Sequence, residues 1–470
     1  MIDLISERVG GRIVVCNDEF FAPAVNLISA HAPVANDDYT DRGKWMDGWE
    51  TRRRREPGHD WVIVALGIPG RIRSVTVDTS YFTGNYPEYF SLDATGDDDA
   101  EGGEWVEIIP KTELRGASVA EFSVDDPHRV VMVRLNIYPD GGVARLRVEG
   151  EAIPAIDLVC PEGEIDLASA SVGGEAVDAS DLHYSPPSNV VRPVPSIGMW
   201  DGWETKRRRD DGNDWVTLRL GMRGAVQRLV VDTSHFKGNA PGWVSVDLSD
   251  DGSTWARVVE RVAVAPHERN TVDMDGSAGR YLRLSIHPDG GLARLRVLGR
   301  SDRDGAGAMR LLYLNALFDG LAERFFRTAC ASSAWVGEMV RRRPFAEIEE
   351  VFATGEEVFA RMTEPDWLEA FGGHPRIGER GDATANREQA GTSTASRETI
   401  RELIDVNRRY EEKFGFTYIV YATGKTADEM LAIAKERLDN DRAAEIANAA
   451  GEQRKITATR LGRMLCQEAK

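Results

Sequence analysis

The sequence predicts two tandem antiparallel β-sandwiches of jelly-roll type followed by an all-α domain. Three observations carry this. Asp47-Gly48-Trp49-Glu50-Thr51, a run of arginines and Asp60-Trp61 return as Asp201-Gly202-Trp203-Glu204-Thr205, a basic run and Asp214-Trp215. Around both phrases lie short runs alternating apolar and polar residues, punctuated by glycine and proline. Past residue 300 the texture turns to alanine, glutamate and leucine at helical spacing.

The repeat defines the units. Ile2-Asp3-Leu4 pairs with Ile165-Asp166-Leu167, Asp78-Thr79-Ser80 with Asp232-Thr233-Ser234, Gly84-Asn85 with Gly238-Asn239, and Pro139-Asp140-Gly141-Gly142 with Pro288-Asp289-Gly290-Gly291. The spacing between partners shrinks along the chain, as shorter surface loops in the second copy would produce. Domains are expected at 1–150, 165–299 and 309–470, with 301–307 a small polar linker before the last.

Within each copy, 61–67 and 215–221 read as strands stopping at glycine, and 71–78 and 228–232 as the next strands. Residues 130–137 and 281–286 run into Pro-Asp-Gly-Gly, a strong turn signal, and a closing strand sets Leu146 and Val148 against Arg145 and Arg147. In the helical part Leu314, Leu317, Phe318, Leu321 and Phe325 form one stripe, and Thr426-Ala427-Asp428-Glu429 is a capping box. Residues 418–422 read as its one strand.

With 58 basic against 77 acidic residues the net charge is −19, which argues against a nucleic-acid or anionic-membrane partner. No apolar run approaches the ~20 residues that cross a bilayer, and the first residues lack a signal peptide's basic and apolar regions. Cys16, Cys160, Cys330 and Cys466 are scattered without a CxxC. The expectation is a cytoplasmic protein with reduced thiols, no disulfide framework and no zinc site.

Asp, Glu, Arg and Asn clustered at repeated turns are poor core material, so they belong at loop ends. There a guanidinium can hold a carboxylate through forked bonds, and Asp or Glu can orient urea-like N–H groups or activate water. Glu50, Arg52, Glu204 and Lys206 stand beside the tryptophan-bearing turn and are candidates; the remaining arginines read as a solvated face, and Trp49 and Trp203 as packing anchors. The copies differ at titratable positions: His59 against Asn213, Tyr81 against His235, Tyr138 against His287. Unlike groups delivered to one site would produce this pattern, and so would drift on the surface.

Residues 1–300 resemble allantoicase through DGWETxRRR, HDW/NDW, DTSxFxGN and PDGGxARLRV. The resemblance implies galactose-binding-like jelly rolls, hydrolysis of allantoate to ureidoglycolate and urea, and a homo-oligomer. It leaves open the catalytic assignment and a divalent metal, which an Asp/Glu/His-rich site can hold. The candidates are Glu50, Glu204, His235 and His287 for catalysis, with Arg52, Asp60, Asn85, Arg145, Asp214, Asn239 and Arg294 for substrate.

Gly372-Gly373-His374-Pro375 exposes a histidine in a fixed direction, because the proline restricts the residue before it. Glu388 follows about one loop later, a partner for acid–base work. Residues 309–470 resemble OHCU decarboxylase through HPRIGE (374–379), EQAG (388–391), KFGFTYIVYATGK (413–425) and Arg437-Leu438-Asp439-Asn440. That implies cofactor-free conversion of 2-oxo-4-hydroxy-4-carboxy-5-ureidoimidazoline (OHCU) to (S)-allantoin. By this resemblance His374 is the proton donor and Glu388 contacts the substrate. Pro375 and Gln389 contact substrate, Tyr418, Ile419, Val420, Tyr421 and Ala422 line the pocket, and Arg437 binds the substrate's polar edge. Two positions depart from the family pattern: Ala385 where a serine is usual, and Tyr418 where phenylalanine is.

Small-molecule substrates in purine catabolism are thus expected. Two rival readings remain: tandem ligand- or carbohydrate-binding modules with only the helical part catalytic, or a hydrolase with a degenerate helical assembly domain.

Overall fold

The computed structural model describes residues 1–155, 163–375 and 396–465. It divides into two compact units, Met1–Phe318 and Asp319–Lys470.

In the first unit each copy is an antiparallel sandwich built around one strand of 19 residues, Asp60–Asp78 in copy one and Asp214–Asp232 in copy two. Strands usually run about 3–10 residues, and the length has a cause. Asp60 to Ala65 pair with the strand Val130–Tyr138, whereas Gly70 to Asp78 pair with Arg145–Ala152. One strand therefore serves both layers. The strand does not stop at Gly67 as expected: a Cβ there would lie 2.4 Å from Gly11 N, so the neighbouring backbone needs that residue bare while the strand continues. Tyr89–Thr95 and Val106–Glu113 extend one layer, Ile2–Asp3 edges the other, and copy two repeats this order. Val62, Val64, Val75, Val77, Leu135, Ile137, Leu146 and Val148 are fully buried between the layers, each contributing about 1.5–3 kcal/mol.

The stretch 301–307 is not a linker. The last strand, Arg294–Ser301, passes directly to the helix Arg303–Asn315, whose N-cap Asp302 accepts from Gly305 N, and this helix belongs to the first unit. Its small glycine-containing start reflects close approach, since a Cβ on Gly305 would stand 3.1 Å from Arg223 O.

The second unit is helical. A run of aromatic rings threads its core, Trp335 to Phe359 (5.5 Å between centroids), Phe359 to Trp367 (5.3 Å) and Phe371 to Phe416 (5.2 Å). The stripe 314–325 is split between the helices Arg303–Asn315 and Asp319–Ala329, so Leu314, Leu317 and Phe318 are buried while Leu321 and Phe325 are half-buried. The capping box at Thr426 forms as expected. Residues 418–422 form no strand. Their apolar texture signals burial, which an irregular segment satisfies when side chains take its backbone groups. Arg437 donates to Ile419 O (2.8 Å), Glu452 accepts from Tyr421 N (2.7 Å), and Lys425 donates to Tyr421 O (2.7 Å). Among the described residues no helix is long and apolar enough to cross a membrane.

Candidate functional site

At one end of each sandwich the repeated motifs meet. Trp49–Glu50 pairs with Gly142–Val143, and Trp203–Glu204 with Gly291–Leu292, joining the tryptophan turn to the Pro-Asp-Gly-Gly turn. Gly142 must be glycine because a Cβ there would lie 2.0 Å from the Phe82 ring. Trp49 and Trp203 are fully buried and donate through Nε1 to Asp18 O (2.8 Å) and Asp181 O (2.9 Å), so they anchor the turn. Above them Asn85 Nδ2 donates to Glu50 Oε1 at 2.7 Å, and Asn239 Nδ2 to Glu204 Oε1 at 2.6 Å. Burial pushes the Glu50 carboxyl above its ordinary value, and the Asn85 bond acts the other way. Each pair is a half-buried carboxylate oriented by an amide at a loop end, the geometry of a group that activates water or grips an N–H. Arg52 and Lys206 reach Asp18 (2.6 Å) and Asp181 (3.5 Å) from the exposed side of the same turns.

Four expected substrate contacts have other work. Arg145 donates to His31 O, Asp47 O, Ala144 O and Asp47 Oδ2 (2.7–3.1 Å), and Arg294 likewise to Val194 O, Asp201 O, Ala293 O and Asp201 Oδ2. Both are buried and pin the start of the Asp-Gly-Trp turn. Asp60 Oδ1 accepts from Arg54 (2.5 Å) and Asn17 (2.8 Å), and Asp214 Oδ1 from Arg208 (2.8 Å) and Ser180 (3.0 Å). These buried carboxylates fold the basic loop inward, so the third basic residue of each run, Arg54 and Arg208, is a tether rather than part of a solvated face.

The symmetry-broken residues occupy matched scaffolding. His287 and Tyr138 both bond a serine on the next strand, Nε2 to Ser245 Oγ (3.0 Å) and OH to Ser91 Oγ (3.0 Å). Arg261 donates to His287 Nδ1 (3.3 Å), leaving the proton on Nε2. Burial, then Arg261 and Arg257, hold this histidine below its ordinary value, so it is neutral at physiological pH. His235 Nε2 lies 3.1 Å from Ser196 O, and its backbone N donates to His267 Nδ1 (2.9 Å). Neither histidine hydrogen-bonds Glu50 or Glu204 among the described residues, and each Glu–Asn pair closes within its own copy. Among the described residues no group of three or more His, Cys, Asp or Glu is placed to hold a metal ion. Cys16 and Cys330 are free thiols; Cys160 and Cys466 lie outside the described residues.

In the helical unit His374 follows the helix Glu364–Gly372, and its Nε2 lies 2.7 Å from Gln453 Oε1. Gln453 is fully buried and donates its amide N–H to Thr457 Oγ1 (3.1 Å), which turns its oxygen toward the imidazole. Sequence reasoning missed Gln453, whose only signal was a glutamine four residues before a threonine on one helix. Arg437, expected at the substrate's polar edge, is held by protein groups. Its Nε and Nη2 engage the fully buried Glu445 (2.7 and 2.5 Å), and Nη1 holds Ile419 O. It thus fixes the wall 418–422. The Tyr418 hydroxyl donates to Met430 O (3.2 Å), and burial raises its pKa, so this extra group is absorbed by the fold. Pro375 is half-buried beside His374; Ala385, Glu388 and Gln389 lie outside the described residues.

A family model described as the allantoicase repeat matches residues 2–153 and again 165–302. The chain belongs to the allantoicase family. Over its allantoicase part it is 41% identical across 317 residues to an allantoicase of Dictyostelium discoideum, covering 63% of this chain and 86% of that one. Identity is also 41% over 318 residues to a probable allantoicase of Pseudomonas paraeruginosa, covering 64% and 96%. The crystal structure of allantoicase from Saccharomyces cerevisiae superposes with a TM-score of 0.55 at 34% identity, covering 63% of this chain and 92% of that chain. The allantoicase part is followed by an OHCU decarboxylase domain, whose family model matches residues 315–462.

Proposed function

We propose that the chain is a bifunctional enzyme of purine catabolism. Its first unit hydrolyses allantoate to ureidoglycolate and urea, and its second converts OHCU to (S)-allantoin. The observation that carries the first activity is the doubled Glu–Asn pair, Glu50 with Asn85 and Glu204 with Asn239. The Glu50 carboxylate, its pKa raised by burial, takes a proton from water as the oxygen adds to the carbon bearing the ureido groups, and the C–N bond to one of them breaks as that proton passes to its nitrogen, releasing urea. Arg52 and Lys206 sit close enough to the same turns to hold the substrate carboxylate. Allantoate supplied to the full chain should yield urea, and no urea above the blank refutes the hydrolase. Parallel assays with and without chelator test whether a divalent metal takes part.

For the second activity, loss of carbon dioxide leaves an electron pair that the adjacent imine accepts, so no cofactor is needed. A proton must then reach one face of the ring. His374 supplies it, with Gln453 fixing the ring and the wall 418–422 framing the pocket. His374→Ala should abolish stereospecific allantoin formation while urea release continues; loss of both activities would refute two independent sites. The two activities flank the step that opens the allantoin ring, so the fusion supplies two enzymes together rather than passing an intermediate between them. A homo-oligomer working in the cytoplasm completes the proposal.

A further inference from the structure

The copies meet at a seam where their differences converge. A cavity of about 260 Å³ there is lined by Asp3, Ser6 and Arg8 of copy one and by Glu175, Ser188 and Arg192 of copy two. By the repeat alignment Arg8 faces Ser171, and Arg192 faces Ser29. Each copy thus supplies one guanidinium that its counterpart lacks.

Arg8 lies over the Trp200 ring at 4.7 Å, and among the described residues its Nε is buried without a hydrogen-bond partner. Arg192 donates to Asp201 Oδ1 at 2.6 Å, but Asp201 also accepts from Arg294 at 2.7 Å, so one carboxylate serves two cations. Burial first, then Arg8 and Arg294, depress Arg192 to about 10, against the pull of Asp201. Two guanidiniums drawn together out of water are relieved by an anion between them. Asp3 and Glu175 also line the cavity, beside Arg147 (3.6 Å) and Arg219 (3.0 Å), and their oxygens can accept further N–H donors.

We propose that this seam cavity binds a small ureido acid, its carboxylate between Arg8 and Arg192 and its N–H groups toward Asp3 and Glu175. The choice of a ureido acid rests on the hydrolase reading; the mixed charge of the lining stands without it. The volume falls below the roughly 300–1,000 Å³ of pockets for drug-sized ligands, which suits a molecule of this size. Through Arg192 and Asp201 the cavity is tied to the tryptophan turn that carries Glu204.

The test is calorimetric titration of the full chain with N-carbamoylglycine and, separately, with inorganic phosphate. N-carbamoylglycine should bind, and Arg8→Gln and Arg192→Gln should each weaken it at least tenfold, with Arg8→Lys intermediate because it keeps the charge and loses the fork. An unchanged melting temperature of the first unit shows that Arg8→Gln is folded. Binding of neither probe to the unaltered chain, equal binding to the chain and to both glutamine variants, or phosphate binding as tight as N-carbamoylglycine would overturn the proposal. Urea release from allantoate, measured on the same samples, reports the hydrolase separately.

Discussion

The two copies of the sandwich keep the same carboxylate and replace what surrounds it. Glu50–Asn85 and Glu204–Asn239 match within 0.1 Å, as 2.7 and 2.6 Å. Tyr138 and His287 likewise share a serine partner at 3.0 Å, yet one is a phenol and the other a neutral imidazole under two arginines. Copy one keeps Asp47 with Arg145, whereas copy two gives Asp201 a second cation, Arg192. Duplication preserved the frame, and divergence worked on proton-carrying and charged groups at the ends and seam.

The largest expected effect tests whether both frames still work. Glu50→Gln and Glu204→Gln should each be assayed for urea release, with a fall of about 10²–10⁴ where the carboxylate is the base. Equal falls would mean that both copies are needed for one turnover or work alike; a fall in one variant alone would make the other copy a scaffold. Next come the tethers. Arg145→Met and Arg294→Met should each destabilise the first unit by about 3–5 kcal/mol by breaking a buried pair, read as a shift in denaturant midpoint. The copy-two loss should be the smaller, because Arg192 still compensates Asp201; the reverse order would contradict that role for Arg192.

The smallest effect concerns pH. His287 is held below its ordinary 6.5, first by burial, so the folded state takes up a proton less readily than the unfolded chain. Its contribution is present above 6.5 and is lost as pH falls through the folded value. His287→Tyr should therefore flatten the decline in melting temperature of the first unit below pH 6.5, and Tyr138→His should steepen it. Parallel pH profiles in all three proteins would show that the difference between copies does not matter here.

Much of this was legible in the residues. The repeat gave the units, the Pro-Asp-Gly-Gly turns gave the strand ends, and buried Trp49 and Trp203 behaved as anchors. What sequence could not reveal was the far end of a long side chain. Arg145 and Arg294 look like ligand arginines, but three of the four acceptors of each are backbone carbonyls, which carry no residue identity. Gln453 stands 79 residues from His374, and nothing local marks their pairing. Residues 418–422 misled because aromatic and β-branched residues report burial more surely than pairing. The seam arginines stayed hidden because an alignment displays their difference without saying that both point to one place.

The strand shared by the two layers has a bearing on how the copies changed. A one-residue slip in either layer would turn every side chain of the shared strand to its opposite face and carry the error into the other layer. Asp60–Asp78 and Asp214–Asp232 accordingly keep the same length of 19 residues. Length could drift only in the connections before and after them. The central strand acts as a ruler, and the loops keep the history.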